Sequence, residues 1–463
     1  LKLIYDLNSK NSIPQKQRFL FPQNHGGIIG DVFIHLKPDF YIAKEKILKT
    51  FSPDYKNVSV QVESLIKNNK TILNFTGEDN LNDYKLLVSI SDTGGNIIKE
   101  LPAYNFTLGR NKDISIIQKL DLPGAILWSP ESHSPYILTQ QLFKADSLID
   151  KKQKLVSLFD LKSDQESIRL NGNDYILKGA IYYPGSETYG KLISYEQMEK
   201  DIILIKEAGF NSVRFAKSTI HPFYLSLCDK YGLFAFLEVP INGVPKGVAE
   251  DESFISRSKE FLYNYISFYG EYSSFAAIGF GGTYLPELEE HISLISILAE
   301  ATKEKSNLLT YASFAGSNIQ IIENLDLYGL EFMKESASSS DEQIKELQNN
   351  LGKGKVFFSS VTYPIYIGGS DGYLNEYSFE AQAKYYEEFF DYVSQTKAPA
   401  FFINSFNDYF GDYSSFICSN SDRNLYRIGL MDESRSKNRI SYKVVYSKLN
   451  NLEKVTIPIG SKK

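Results

Sequence analysis

Arg214, Glu238, Glu331 and Asp408 stand in or beside short apolar runs, where a charged side chain loses water when the run folds. Arg214 lies in Asn211-Ser-Val-Arg-Phe and Glu238 near the end of Leu233–Val239. Glu331 lies in Asp326-Leu-Tyr-Gly-Leu-Glu-Phe, and Asp408 closes Phe402-Ile-Asn-Ser-Phe-Asn-Asp. Desolvated carboxylates gathered near an arginine have two outcomes. They settle into an ion-pair network, which is the commoner one, or two of them become a proton donor and a nucleophile. Glu287 is a further carboxylate, but its context reads as a solvated helix face. Tyr182, Tyr183 and Tyr363, near the ends of apolar runs, offer the rigid amphipathic rings that suit a ligand pocket. Metal chemistry is not expected, because the five histidines have no paired spacing. The two cysteines, Cys228 and Cys418, give neither a disulfide framework nor a zinc pattern. No cofactor is implied.

The elements that position these residues change character along the chain. Between residue 30 and about 160, Val58, Val60 and Val62 alternate with polar residues, and Leu86, Val88 and Ile90 do the same. Asp92-Thr-Gly-Gly-Asn96 then supplies a hairpin turn. Short strands separated by turn signals predict an antiparallel sandwich. After about residue 165, strand and helix alternate. Tyr175–Tyr182 reads as a strand, and Ser194 as the N-cap of a helix burying Met198, Ile202 and Ile205. A helix at Pro222–Lys230 ends at Gly232, and a late helix, Phe379–Val393, turns Tyr386, Phe389, Phe390 and Val393 inward. About 300 residues of this rhythm predict an eight-fold β/α barrel, a TIM barrel.

A hydrophobic share of 43% and a charged share of 23% are those of a globular protein. A net charge of −6, with basic residues scattered among acidic ones, argues against a nucleic-acid surface. No apolar run reaches the ~18 residues of a transmembrane segment. The opening Leu-Lys-Leu-Ile reads as a fragment or processed form and carries no targeting information.

Several motifs, in one order, resemble those of family 2 glycoside hydrolases, the β-galactosidase, β-glucuronidase and β-mannosidase type. Asn171-Gly-Asn-Asp-Tyr-Ile-Leu-Lys-Gly resembles the first strand of that family's barrel. Gln197–Arg214 resembles its first helix and second strand, and His221-Pro-Phe-Tyr followed by Leu237-Glu-Val-Pro continues the order. Leu127-Trp-Ser-Pro-Glu131 is similar to a stretch in the immunoglobulin-like domain that precedes the barrel, and it holds the single Trp of the chain. His25–Ile34 resembles the junction with the family's sugar-binding jelly-roll, and Gly429-Leu-Met-Asp with Tyr442 its last loop and helix. The resemblance implies three regions: a jelly-roll remnant over 1–29, an immunoglobulin-like β-sandwich over 30–161 and a TIM barrel over 162–463. It also implies an extracellular or periplasmic location.

The family's retaining mechanism needs two carboxylates about 5–5.5 Å apart at strand ends. The resemblance places the acid/base where this chain has Thr283, after Gly282, and the nucleophile where it has Val361. A threonine hydroxyl does not titrate near neutral pH, and valine is no nucleophile. Lys217 takes the place of a family His, and Asn404 that of the Trp flooring the sugar site. Arg214 and Glu238 match family residues, and Glu331 stands where the family has an Asn. The implied protein is a pseudoenzyme whose candidate ligand-binding residues are Arg214, Glu238, Glu331, Asn404, Asp408 and Tyr182. Three readings follow: a structural or assembly subunit bound to a partner protein, a glycan-binding protein without turnover, and a glycosidase with relocated carboxylates.

Overall fold

The computed structural model describes residues 31–69, 84–107, 113–185, 193–366, 372–396, 398–411 and 424–455. The expected jelly-roll remnant at 1–29 and Cys418 lie outside them. The chain divides into two compact units, Asp31–Asp160 and Leu161 onward.

The first unit is built from β1 (Phe40–Phe51), β2 (Asn57–Asn68), β3 (Tyr84–Ser91), β4 (Ile97–Glu100), β5 (Tyr104–Phe106), β6 (Ile114–Pro123), β7 (Tyr136–Lys144) and β8 (Ser147–Val156). β1, β2 and β6 form one antiparallel sheet, and β4, β3, β7 and β8 form another, with β5 also on β3. The period-2 residues behave as their spacing predicts. Val58, Val60 and Val62 from one sheet meet Leu86, Val88 and Ile90 from the other in a single core. The β3–β4 turn is held by Asp92, whose Oδ1 accepts from the Asn96 backbone N–H at 2.9 Å, and Gly95 takes a positive φ of 86°.

The second unit opens with a small sheet of β9 (Leu161–Ser163), β10 (Ile168–Leu170) and β11 (Asn173–Asp174). Eight parallel strands then close a barrel in sequence order. They are β12 (Leu177–Ile181), β13 (Ser212–Phe215), β14 (Phe234–Glu238), β15 (Phe275–Gly279), β16 (Leu309–Phe314), β17 (Leu327–Met333), β18 (Val356–Thr362) and β19 (Ala400–Asn404). A short pair, β20 (Tyr409–Phe410) and β21 (Leu425–Tyr426), follows. Between and after the strands run α1 (Tyr195–Glu207), α2 (Phe223–Tyr231), α3 (Lys246–Ala249), α4 (Glu252–Tyr269), α5 (Glu289–Lys305), α6 (Asp341–Leu351), α7 (Phe379–Thr396) and α8 (Ile440–Val455). The Ser194 hydroxyl caps α1 by accepting from the Gln197 N–H at 3.2 Å, and Gly232 ends α2 at φ 72°. Buried Cys228 on α2 packs among apolar neighbours, and desolvation pushes its thiol well above the usual range.

Alternation along the strands sorts side chains into two layers. Val213, Phe215, Leu237, Ile278, Phe314, Leu330, Val361 and Ile403 join the core between barrel and helices. Phe236, Tyr311, Phe357 and Phe402 meet one another inside the barrel, with ring centroids 5.0–6.1 Å apart. Two glycines make room for them. A Cβ on Gly179 would lie 2.2 Å from the Phe402 ring, and one on Gly279 would lie 2.3 Å from Tyr311.

Candidate functional site

A polar layer rests on this aromatic floor at the C-terminal ends of the strands. Arg214 on β13 lies over the Tyr311 ring, 5.3 Å from its centroid. Its Nη2 donates to Glu238 Oε1 on β14 at 2.6 Å and to Ser313 Oγ on β16 at 3.3 Å, and its Nη1 donates to the Ser359 carbonyl. The other Glu238 oxygen accepts from the Lys217 backbone N–H at 2.8 Å. Both oxygens of Glu238 are therefore engaged, in a pair of which Arg214 is 2% and Glu238 1% exposed. Burial disfavours the Arg214 charge, but Glu238, Tyr311 and Glu331 outweigh it and hold the guanidinium protonated.

Glu331 projects from β17 into space that a side chain at position 282 would need. A Cβ on Gly282 would stand 2.6 Å from Glu331 Oε1 and 3.1 Å from Asn242 Oδ1. Glu331 is half-buried, and desolvation raises its carboxyl above the ordinary range despite the opposing pull of Lys217 and Arg214. Desolvation lowers the Lys217 ammonium in turn, against the attraction of Glu331 and Glu238. Lys217 and Thr283 both hold positive φ, 63° and 59°, a sparsely populated region for residues with a Cβ. Asn242 supports the second of these turns. Its Oδ1 accepts from the Gly282 N–H at 2.7 Å and from Thr283 Oγ1 at 3.2 Å. Thr283 itself is exposed at the mouth.

The end of β18 differs from its expected place in the site. Val361 packs in the core between barrel and helices, because the register shifts between Phe358 and Val361 and resets the alternation. Ser360 and Thr362 take the inward positions. Asn404 on β19 donates from Nδ2 to Ser360 Oγ at 3.1 Å and to Thr362 Oγ1 at 3.0 Å. Asn404 is 3% exposed, and its Oδ1 has no hydrogen-bond partner among the described residues.

Two other expected ligand-binding residues are placed elsewhere. Tyr182 faces the helices, where its hydroxyl donates to Asp201 Oδ2 on α1 at 2.5 Å and lies 3.3 Å from that of Tyr224. Arg435 completes that buried cluster, 2.9 Å from Asp201. The neighbour of Tyr182 along the chain, Tyr183, stands among the mouth charges, its ring 4.1 Å from that of Tyr409. Asp408 does not join Arg214. It accepts from Arg439 on both oxygens and from the Gly429 N–H at 2.8 Å, with Arg427 3.7 Å away. Desolvation still raises its carboxyl. The structure thus brings together Arg214, Glu238, Glu331, Lys217 and Thr283, and separately Asn404, Ser360 and Thr362. Asn242, Ser313, Ser360 and Thr362 were not singled out by sequence. Their only signal there is a small polar residue in or after an apolar run. Among the described residues no cluster of His, Cys, Asp and Glu could hold a metal, and no helix is long and apolar enough to cross a membrane.

The family model for the TIM barrel domain of glycosyl hydrolases family 2 matches residues 161–272. The closed eight-strand barrel is the kind of fold that this domain model describes. Solved structures agree with it. A putative beta-galactosidase from Bacteroides fragilis superposes with a TM-score of 0.77 at 15% identity, over 89% of this chain and 62% of its own. A GH2 beta-galacturonidase from Eisenbergiella tayi gives 0.75 at 19%, over 90% and 73%. A beta-glucuronidase from Bacteroides uniformis gives 0.74 at 18%, over 88% and 51%. At these identities the likeness is one of fold, and this chain spans between half and three quarters of the length of those proteins.

Proposed function

We propose that the chain is a non-hydrolysing relative of the family 2 glycosidases that keeps its barrel mouth for binding carbohydrate. One observation carries this reading: both oxygens of Glu238 are held by Arg214 and Lys217, while hydroxyl and amide groups stand at the inward end of β18. A retaining glycosidase needs a free carboxylate there, about 5–5.5 Å from a second one. On this reading Thr283 and the inward end of β18, at Ser360 and Thr362, mark the two lost catalytic positions, and Arg214 has exchanged a catalytic partner for a structural one. The unit at 31–160 would be the immunoglobulin-like domain, and the protein would work outside the cytoplasm, alone or beside a partner protein.

The test is release of chromophore from aryl β-galactosides, β-glucuronides and β-galacturonides, chosen from the activities of the structural neighbours. The expected rate is that of the Glu238→Gln variant and of buffer. A second reading, a glycosidase with a relocated acid, draws support from the raised Glu331 carboxyl in the socket left by Gly282. Turnover that Glu331→Gln abolishes would establish that second reading and remove the first.

A further inference from the structure

We propose that Lys217 is a carbonyl-capturing residue, an amine that forms an imine with a small uncharged aldehyde while Glu331 moves the proton. The inference goes beyond the non-hydrolysing reading and holds whether or not the chain binds carbohydrate.

The backbone fixes this amine before any ligand arrives. Lys217 stands two residues past the end of β13 at φ 63°, and its N–H donates to Glu238 Oε2 at 2.8 Å. Glu238 is itself held by Arg214 at 2.6 Å, so the turn rests on a buried ion pair. Backbone in that region is costly for a residue with a Cβ and persists only where its surroundings fix it. Three charged groups act on the Lys217 ammonium: Glu331 on β17, Glu238 on β14 and Arg214 on β13. Arg214 and Glu238 are committed to each other. Glu331 is the remaining carboxylate. It accepts from the Thr283 N–H and stands in the volume that Gly282 leaves open. Lys217 and Glu331 are both half-buried, so each keeps accessible surface.

Burial lowers the ammonium and raises the carboxyl, which brings the two proton affinities toward each other. A lysine desolvated beside a second cation is an amine made nucleophilic near neutral pH. The ammonium gives one proton to the Glu331 carboxylate. The freed Nζ pair then forms a C–N bond to the aldehyde carbon, and the carbonyl π pair moves to oxygen. A proton passes from nitrogen to that oxygen, giving a neutral carbinolamine. Glu331 returns its proton to the hydroxyl, the C–O bond breaks and water leaves. The nitrogen pair closes C=N as a protonated imine, paired with the Glu331 carboxylate. One ammonium and one aldehyde have become one iminium and one water, with charge unchanged. An anionic carbonyl compound would meet Glu331 and Glu238, with the Arg214 charge already taken, so an uncharged aldehyde suits the site better.

The experiment treats the full chain with acetaldehyde and sodium cyanoborohydride at neutral pH, which reduces the imine to an ethylated lysine, and reads each lysine by peptide mapping. The internal reference is Lys230 on α2, an exposed lysine whose ammonium Glu199 holds protonated at 2.6 Å. Lys217 should ethylate at least about tenfold faster than Lys230, the effect of one unit in proton affinity. Labelling no faster than that of Lys230 overturns the proposal, and this needs no variant to fold. In Glu331→Gln the Lys217 rate should fall about tenfold or more, the loss of a proton carrier. A faster rate in that variant would show that the glutamate acts only by holding the ammonium protonated, and overturns its role in the step. With glyoxylate in place of acetaldehyde, the ratio of Lys217 to Lys230 labelling should drop. A higher ratio overturns the assignment to uncharged aldehydes.

Discussion

At the scale of single residues, the mouth is governed by which charges have partners. Arg214→Met would leave Glu238 buried without its cation, and we expect a loss of about 3–5 kcal/mol of unfolding free energy in urea denaturation. Arg214→Met with Glu238→Leu should recover most of that loss. A double variant as unstable as the single one would mean that packing, not charge, sets the cost. Glu331 carries the pH dependence. Its folded carboxyl is raised, so its contribution to stability is complete below the unfolded glutamate value of about 4.3 and is lost as pH rises through the folded value. Glu331→Gln should flatten the fall of melting temperature between that value and neutrality, leaving the residual slope due to Asp408, which is raised as well. An unchanged profile would show that Glu331 is solvated. Sequence made Arg214 and Glu238 legible through the family resemblance, in which each matches a residue at a strand end. It could not choose between Tyr182 and Tyr183, since neighbouring strand residues face opposite ways and a one-residue error exchanges their roles.

At the scale of elements, local chemistry was readable wherever one residue type has one use. Ser194 caps α1, Gly232 stops α2, and Asp92 to Asn96 turns the β3–β4 hairpin, all as their types predict. The end of β18 was not readable, because the register shift before Val361 leaves no mark in the order of residues. The barrel interior depends on glycines for a reason of volume. Gly179→Ala would drive a methyl group into the Phe402 ring, and we expect a loss of about 1–3 kcal/mol, measured by urea denaturation. Phe402→Leu in the same chain should restore part of it. No rescue would mean that the strand shifts as a whole.

At the scale of the whole molecule, each of the two units has its own apolar core, one between its β-sheets and one between barrel and helices. In the sequence, period-2 alternation gives way to strand–helix alternation between about residues 160 and 165. Leu138→Ala should lower the unfolding transition of residues 31–160 by about 2–5 kcal/mol and leave that of the barrel unmoved. Leu298→Ala on α5 should do the reverse. Calorimetry showing a single transition shifted alike by both would mean that the units unfold as one. What the sequence could not convey at this scale is how the polar groups divide. Arg214, Arg435 and Arg439 each anchor a separate buried carboxylate, Glu238, Asp201 and Asp408, and only the first lies at the mouth.

The contact between Gly282 and Glu331 has a consequence for descent. Position 282, in the loop after β15, and position 331 on β17 draw on one volume, so a side chain at 282 would displace the Glu331 carboxylate. Among homologues the two columns should covary, with a side chain at 282 accompanied by a shorter one at 331.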